Sequence, residues 1–237
     1  MSLRSAIRAK VIAARLDQYQ SKDSFPEIRR SAGGYFDCAL ALIKPSQPLV
    51  ICIGGLSGVG KSTIAQQLAV TLRPAPGGLV LRSDSLRKGL FGYSNSERLP
   101  MDFYNAAATA QVYTELCERA VRIAQANVSA IVDATFADPH ARTMMEDCTR
   151  HACVRLIAIF MTTNTETRIA RIKQRGPDVS DANADLVRKQ EKYDVNKVTW
   201  IKIDASGSPN QTLRHVRDVV LETSQARGPR ESGKPKT

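Results

Sequence analysis

The chain reads as an α/β protein, with a parallel sheet and helices on both of its faces. Three observations predict this. Five short apolar runs alternate with helical stretches between residues 49 and 224, the pattern that builds a parallel sheet with covered faces. The first run, in Leu49-Val-Ile-Cys-Ile-Gly-Gly-Leu-Ser-Gly-Val-Gly-Lys-Ser-Thr63, passes through a glycine-rich turn straight into a helix. With 237 residues, 43% of them hydrophobic, the chain can bury one large core and carry an appendage.

Residues 1–45 form the expected appendage, two helical segments with the second around Tyr35–Ile43. Leu3, Ile7, Val11 and Ala14 share one helical face, so the first segment is expected to dock through it. Its Arg-rich amphipathic spelling also suits a transit peptide, but the single apolar face favours a docked helix. Lys44-Pro-Ser-Gln-Pro48 is a linker by its prolines.

Residues 46–225 form the expected nucleotide domain. Its first strand is Leu49–Ile53, followed by a helix over 60–72 with Ile64, Leu68 and Leu72 facing inward. Arg73-Pro-Ala-Pro-Gly-Gly78 breaks that helix. Strand two, Leu79–Arg82, ends on Ser83-Asp84, and a short helix covers 85–89. An irregular stretch through Gly92, Ser94, Asn95 and Pro100 leads to a long helix over 103–125. Strand three, 130–132, ends on Asp133, and Asp138-Pro139 starts a helix that runs to about 151. Strand four is 154–161, and Thr163 with Glu166 spells a capping box for a helix to about 174. After the polar break at 175–181 come a helix over 184–193, strand five over 199–203 ending on Asp204, and a last helix over 211–224 capped by Ser208, Pro209 and Gln211. Residues 226–237 hold Gly, Pro and charge with little apolar content and read as a disordered tail.

The net charge of +11 suits an anionic substrate. Residues 1–30 carry +4 of it and residues 224–237 carry +3. Aromatics are only 5% and no basic run is interleaved with them, so a nucleic-acid stacking platform is not visible. Five cysteines without a C-x-x-C pair argue for a reducing compartment, and the expected location is cytoplasmic. Three scattered histidines do not match zinc spacing, and no apolar run approaches the roughly 20 residues that span a membrane.

Gly55, Gly60, Lys61 and Ser62 fit the phosphate-loop pattern G-x-x-x-x-G-K-[ST]. Glycines let successive N–H groups turn into one hollow, and the helix beginning beside Gly60 adds its positive end. The expected nucleotide-binding set is therefore Gly55, Leu56, Ser57, Gly58, Val59, Gly60, Lys61, Ser62 and Thr63, with Lys61 on the β- and γ-phosphates and the Ser62 hydroxyl on Mg²⁺. Nucleotide phosphate binding is the anchor of the functional reading.

In such sheets ligands bind beyond the carboxyl ends of the strands. Three acids fall at that edge. Asp84 can accept the proton of an acceptor hydroxyl and help hold Mg²⁺, although a helix N-cap would use the same residue. Asp133 follows its apolar strand as a Walker-B acid does and would sit near the metal; an acid bonded to nearby backbone is the plainer alternative. Asp204 is expected in a loop near the base or outside the site. Arg87, one turn beyond Asp84, can face an anionic group on the acceptor or simply be solvated. Arg171 and Arg175, four apart at a helix end, can close over a transferring phosphoryl group, or merely complement the helix dipole.

Absences narrow the class further. Asp133 is followed by Ala134, where a motor-type ATPase carries a water-activating Glu, and Asn196-Lys-Val-Thr199 lacks the last Asp of the guanine-reading pattern. Four motifs in order, Gly54-Gly-Leu-Ser-Gly-Val-Gly-Lys-Ser-Thr63, Leu81-Arg-Ser-Asp-Ser-Leu-Arg-Lys88, Val132-Asp-Ala-Thr-Phe136 and Arg175-Gly-Pro-Asp-Val-Ser-Asp-Ala182, resemble a family of bacterial P-loop ATP-binding proteins. These often form the C-terminal half of a larger protein behind an aminoglycoside-phosphotransferase-like domain. The wider group includes polynucleotide-kinase-like, gluconate-kinase-like and zeta-toxin-like enzymes.

The resemblance covers roughly residues 48–225 and implies a P-loop NTPase three-layer sandwich with strand order 2-3-1-4-5. It implies that Asp84 activates the acceptor and that Arg171 and Arg175 are lid arginines. It matches residues 1–45 to the closing helices of the upstream domain, a possible partner. The expected activity is ATP- and Mg²⁺-dependent phosphotransfer to a hydroxyl of a small molecule or nucleotide. The alternatives are a non-catalytic ATP-binding regulatory module and a nucleic-acid 5′-end kinase; the basic flanks favour the latter and the missing aromatic interleaving does not.

Overall fold

A computed structural model describes residues 1–17, 25–43, 47–73, 76–174 and 184–225. The expected lid break, Arg175 included, and the tail 226–237 lie outside the described residues. The chain divides into two compact units, residues 1–47 with 70–77, and residues 48–69 with 78–237.

In the first unit α1 (Ser2–Ala13) packs on α2 (Phe25–Ile43). Ser2 Oγ donates to the carbonyl of Ala39, Ser5 Oγ to Cys38 Sγ, and Arg8 Nη1 to Tyr35 Oη, so the two helices run antiparallel. The sequence expectation for the docking face fails here. Leu3, Ile7 and Val11 are 73%, 52% and 55% exposed, and the buried residues are Ala9 and Ala39. Small side chains let the helix backbones approach and let serine hydroxyls bond across the contact, which turns the apolar stripe outward. Helix α2 also begins ten residues before Tyr35 and runs through Gly33 and Gly34. Each glycine costs about 1 kcal/mol in a helix interior, so packing along α1 outweighs local propensity.

The second unit is built on five parallel strands in the order β2-β3-β1-β4-β5: β1 (Leu49–Gly54), β2 (Leu79–Arg82), β3 (Ala130–Asp133), β4 (Arg155–Thr162) and β5 (Ile201–Asp204). Strand β1 is central and buried throughout, which is why its spelling is continuously apolar. Its side chains alternate between two cores. Val50 and Cys52 join Val132, Leu116, Phe136, Met145 and Trp200 in one cluster. Ile51 and Ile53 point to the other face, as the two-residue period of a strand requires.

Helices α3 (Lys61–Ala69) and α9 (Pro209–Gln225) pack on each other, and α5 (Ala106–Gln125) packs on α4 (Ser83–Leu90) and α6 (Pro139–His151). Helix α7 (Thr165–Gln174) contacts α8 (Ala184–Lys189). No helix among the described residues is long and apolar enough to cross a membrane.

Element ends differ from the sequence reading where capping decides them. Helix α5 starts at Ala106, later than expected, because the Asn105 side chain accepts from the Ala108 N–H and a 3₁₀ turn, Met101–Tyr104, precedes it. Helix α7 is capped by Asn164 accepting from the Thr167 N–H, whereas Thr163 bonds Ser206. The Ser208–Gln211 box forms in both directions: Gln211 Oε1 accepts from the Ser208 N–H and Ser208 Oγ from the Gln211 N–H. Helix α3 ends at Ala69, short of Leu72, with Ile64 and Leu68 buried.

Candidate active site

The turn after β1 is shaped by positions that tolerate no side chain. Gly55 has φ +139°, and a Cβ there would lie 2.5 Å from the Met161 carbonyl oxygen. Gly58 has φ +83°, and its Cβ would lie 2.6 Å from the Arg168 carbonyl oxygen. The Gly55 N–H is held by the carbonyl of Thr135. Gly55 and Leu56 build the turn without lining the hollow, which is faced by Ser57 to Thr63. The N–H groups of a first helical turn have no partner within the helix, so the start of α3 aims donors and a positive dipole end into that hollow. Lys61 lies with its Nζ donating to the Leu56 carbonyl at 3.3 Å, on the floor of the same turn.

The hollow is one end of a cavity of about 1300 Å³. Asp84, Arg87 and Asp133 line it with Lys61, Ser62 and Arg171, so six of the residues singled out in the sequence face one space. Asp84 sits in the first turn of α4. Asp133, at the end of β3, is almost wholly buried, and burial pushes its carboxyl above the usual range against the opposing pull of Lys61 and a hydrogen bond from Ser62. Ser62 and Asp133 thus offer two hard oxygen donors in contact, with Asp84 close enough to act on Asp133. That donor set suits Mg²⁺, which takes one or two protein oxygens and completes its shell with phosphate and water.

Arg87 is only 7% exposed. It donates to the Phe103 carbonyl at 2.8 Å and to Thr109 Oγ1 at 3.3 Å, and its guanidinium lies 5.0 Å from the centre of the Tyr104 ring. Burial lowers its pKa, yet a guanidinium stays charged in a protein. This cation is fixed in place at the far end of the cavity, where Arg98, Leu99, Met101 and Tyr104 also contribute. The irregular 91–104 region is held by rings: Phe103 meets Phe91 at 4.6 Å and Tyr93 at 5.7 Å between centroids.

Arg171 is placed differently from a free lid arginine. It donates to the carbonyls of Val59, Ala205 and Gly207 and so ties the phosphate loop to the β5–α9 loop. Asp204 is turned away from the cavity, accepting from Ser206 through both its N–H and its hydroxyl, bonds that lower its pKa.

Four further residues serve the site without a sequence signal strong enough to name them. Buried Arg168 donates to the Ser57 carbonyl at 2.8 Å and to Gln190 Oε1 at 3.0 Å. Gln190 accepts from the Ser57 N–H and donates to Ser57 Oγ. Together they clamp the loop's Ser57 from the helices that flank the 175–183 segment. Tyr113 Oη accepts from the Phe136 N–H at 3.0 Å, which fixes Phe136 at φ +47° behind the cavity wall. Arg82 bridges Asp133 and Ser62. Of these only Arg82 lay in a motif already quoted, two residues before Asp84.

Residues 50–193 match the family model described as AAA domain. Solved structures share the fold at low identity. A gluconokinase from Sinorhizobium meliloti 1021 aligns with TM-score 0.53 and 16% identity over 76% of this chain and 95% of its own. An APS kinase of Mycobacterium tuberculosis in complex with AMPPNP and APS aligns with TM-score 0.51 and 17% identity, covering 75% and 99%. A putative kinase from Chloroflexus aurantiacus aligns with TM-score 0.55 and 20% identity, covering 77% and 100%. No curated protein matches the chain.

Proposed function

The chain belongs to the AAA domain family AAA_33, and from that premise we propose that it is an ATP-dependent kinase moving the γ-phosphoryl group of ATP to a hydroxyl of a small anionic molecule or nucleotide. One observation carries the reading. A single ligand usually takes a pocket of about 300–1,000 Å³. The cavity here is about 1300 Å³, with the phosphate hollow at one end, a fixed arginine, Arg87, at the other, and Asp84 near enough to act on both Asp133 and Arg87. Two substrates fit such a space, and the acid stands between them. The likeness in fold to a gluconokinase and an APS kinase supports the same class.

In this reading the amides of 58–63 and the Lys61 ammonium grip the polyphosphate. Ser62 and Asp133, with Asp84 beside them, would hold Mg²⁺, which would supply neutralisation of the polyphosphate's charge. Asp84 takes the proton of the acceptor hydroxyl as its oxygen attacks the γ-phosphorus, and the bond from that phosphorus to the β–γ bridging oxygen breaks to release ADP. Arg87 pairs with the acceptor's anionic group and sets which hydroxyl faces the phosphate loop. Arg171 and Arg175 bring positive charge over the transferring group. For Arg171 this requires release from Ala205 and Gly207.

The test is a panel of hydroxyl acceptors with γ-labelled ATP: sugar acids, sugar phosphates, nucleotides and a 5′-hydroxyl oligonucleotide. Label on a small anionic acceptor is the expected result. Label on the oligonucleotide, with affinity falling steeply as salt rises, would make the chain a nucleic-acid-end kinase instead. ATP binding with no labelled acceptor would support the regulatory-module alternative.

A further inference from the structure

The kinase reading leaves Arg82 without a task, although it stands in the middle of the site. It is the last residue of β2, and its register partner on β3 is Asp133. Its Nε lies 3.5 Å from Asp133 Oδ2, and its Nη2 donates to Ser62 Oγ at 3.4 Å. The guanidinium therefore reaches the same two oxygens, on two different elements, that the reading above gives to Mg²⁺. Its side chain is 15% exposed and that of Asp133 5%, so water screens the pair little. Lys61 and Asp84 are the other charges acting on Asp133.

A divalent ion and a guanidinium in contact with the same two oxygens repel each other strongly at reduced dielectric. One must yield to the other. Without nucleotide the protein offers Mg²⁺ too few oxygens, since this ion relies on substrate phosphates to complete its shell. With nucleotide, phosphate oxygens favour the dication and give the guanidinium new acceptors of the planar kind it binds best. We propose that Arg82 is a positioning residue that occupies the metal's two protein oxygens until nucleotide arrives, so that metal enters with the phosphates and not before them. This rests on the assignment of Ser62 and Asp133 to the metal. A plain structural ion pair makes the opposite prediction, because removing its cation leaves a poorer site rather than a better one.

The experiment uses Mn²⁺ as the probe, its free aquo signal followed by electron paramagnetic resonance as it is titrated into the full chain. In nucleotide-free protein Arg82→Gln is expected to tighten Mn²⁺ binding about tenfold or more. Arg82→Lys, whose ammonium reaches one oxygen at a time, is expected to tighten it about threefold. Adding Asp133→Asn to Arg82→Gln is expected to erase the gain. Equal or weaker binding by Arg82→Gln overturns the proposal, and so does a gain that survives Asp133→Asn. Should Arg82→Gln fail to fold, Arg82→Lys decides alone, and unchanged Mn²⁺ affinity overturns the proposal. Wild-type protein with AMPPNP separates the two readings. If it binds Mn²⁺ no better than without nucleotide, the metal assignment itself falls. If that step succeeds while the Arg82 variants change nothing, only the role of Arg82 falls.

Discussion

In the proposed kinase reading, the grip at the phosphate end of the cavity is made of backbone, and the grip at the acceptor end is made of side chains. Gly55 and Gly58 hold conformations closed to other residues, with carbonyl oxygens less than 3 Å from where a Cβ would stand. The amides they aim read charge and shape, not identity. The acceptor end instead has one fixed cation, Arg87, and a wall of Tyr104, Met101 and Leu99 carried on an irregular segment, with Asp84 where the two ends meet. A backbone grip recurs wherever a polyphosphate must be held. The two ends should therefore respond independently to substitution, and each prediction below assigns its effect to one end or to their junction.

The largest effect is expected at the junction. Asp84→Asn keeps shape and the amides of the phosphate loop but cannot take a proton. Phosphotransfer should fall by about 10²–10⁴-fold, the range for a removed general base, while ATP affinity by calorimetry changes little. Equal turnover would remove Asp84 from the proton path and leave it only as an oxygen donor to the metal.

Next is Lys61→Ala, which strips a side-chain cation from the phosphate hollow. A hydrogen bond to a charged group contributes about 1.5–3 kcal/mol, so ATP affinity should weaken by about ten- to a hundredfold. Binding of the acceptor alone, followed by the same calorimetry, should be unaffected. A matching loss in acceptor affinity would show that the two ends are coupled.

The contrast between the ends also explains what could be read from the sequence. Positive φ strongly favours glycine, so the loop of Gly55, Gly58 and Gly60 is written into composition and spacing, and the strand before it and helix after it were legible with it. Asp84 and Asp133 were found because strand ends are where parallel sheets place ligands. Gln190 was not, because its partner Ser57 lies 133 residues away and nothing local marks a glutamine that bonds a distant loop. The three backbone carbonyls that hold Arg171 were not legible either, because Val59, Ala205 and Gly207 lie 34 to 112 residues away in the chain. The 91–104 region stayed unread since its order comes from Phe91, Tyr93 and Phe103 meeting across turns. In the N-terminal pair, periodicity located the helix α1 but not the face it would bury, because the contact is set by the closeness that Ala9 and Ala39 permit and not by apolar area.

Arg87→Gln sharpens the comparison from the other side. It removes the cation while retaining a donor for the Phe103 carbonyl or Thr109, so the 91–104 segment keeps part of its anchor. The acceptor's KM should rise about tenfold, as for a lost charged hydrogen bond, with the KM for ATP unchanged. An unchanged acceptor KM would mean that Arg87 serves only to hold Phe103 and Thr109.

The smallest effect is expected for Tyr104→Leu. The Tyr104 ring lies 5.0 Å from the Arg87 guanidinium, near enough for a cation–π contact of about 0.5–1 kcal/mol at a partly exposed site. Losing it leaves the cation in place through its two hydrogen bonds but less tightly oriented. The acceptor's KM should therefore rise about two- to fivefold, and the same substitution in an Arg87→Gln background should add almost nothing, because the ring then has no cation to orient. Steady-state kinetics on the four proteins of that cycle reads the coupling directly. Additive effects would mean that Tyr104 meets the acceptor itself, stacking on its body while Arg87 holds its charge, and would move the aromatic ring from the support of the site into the site.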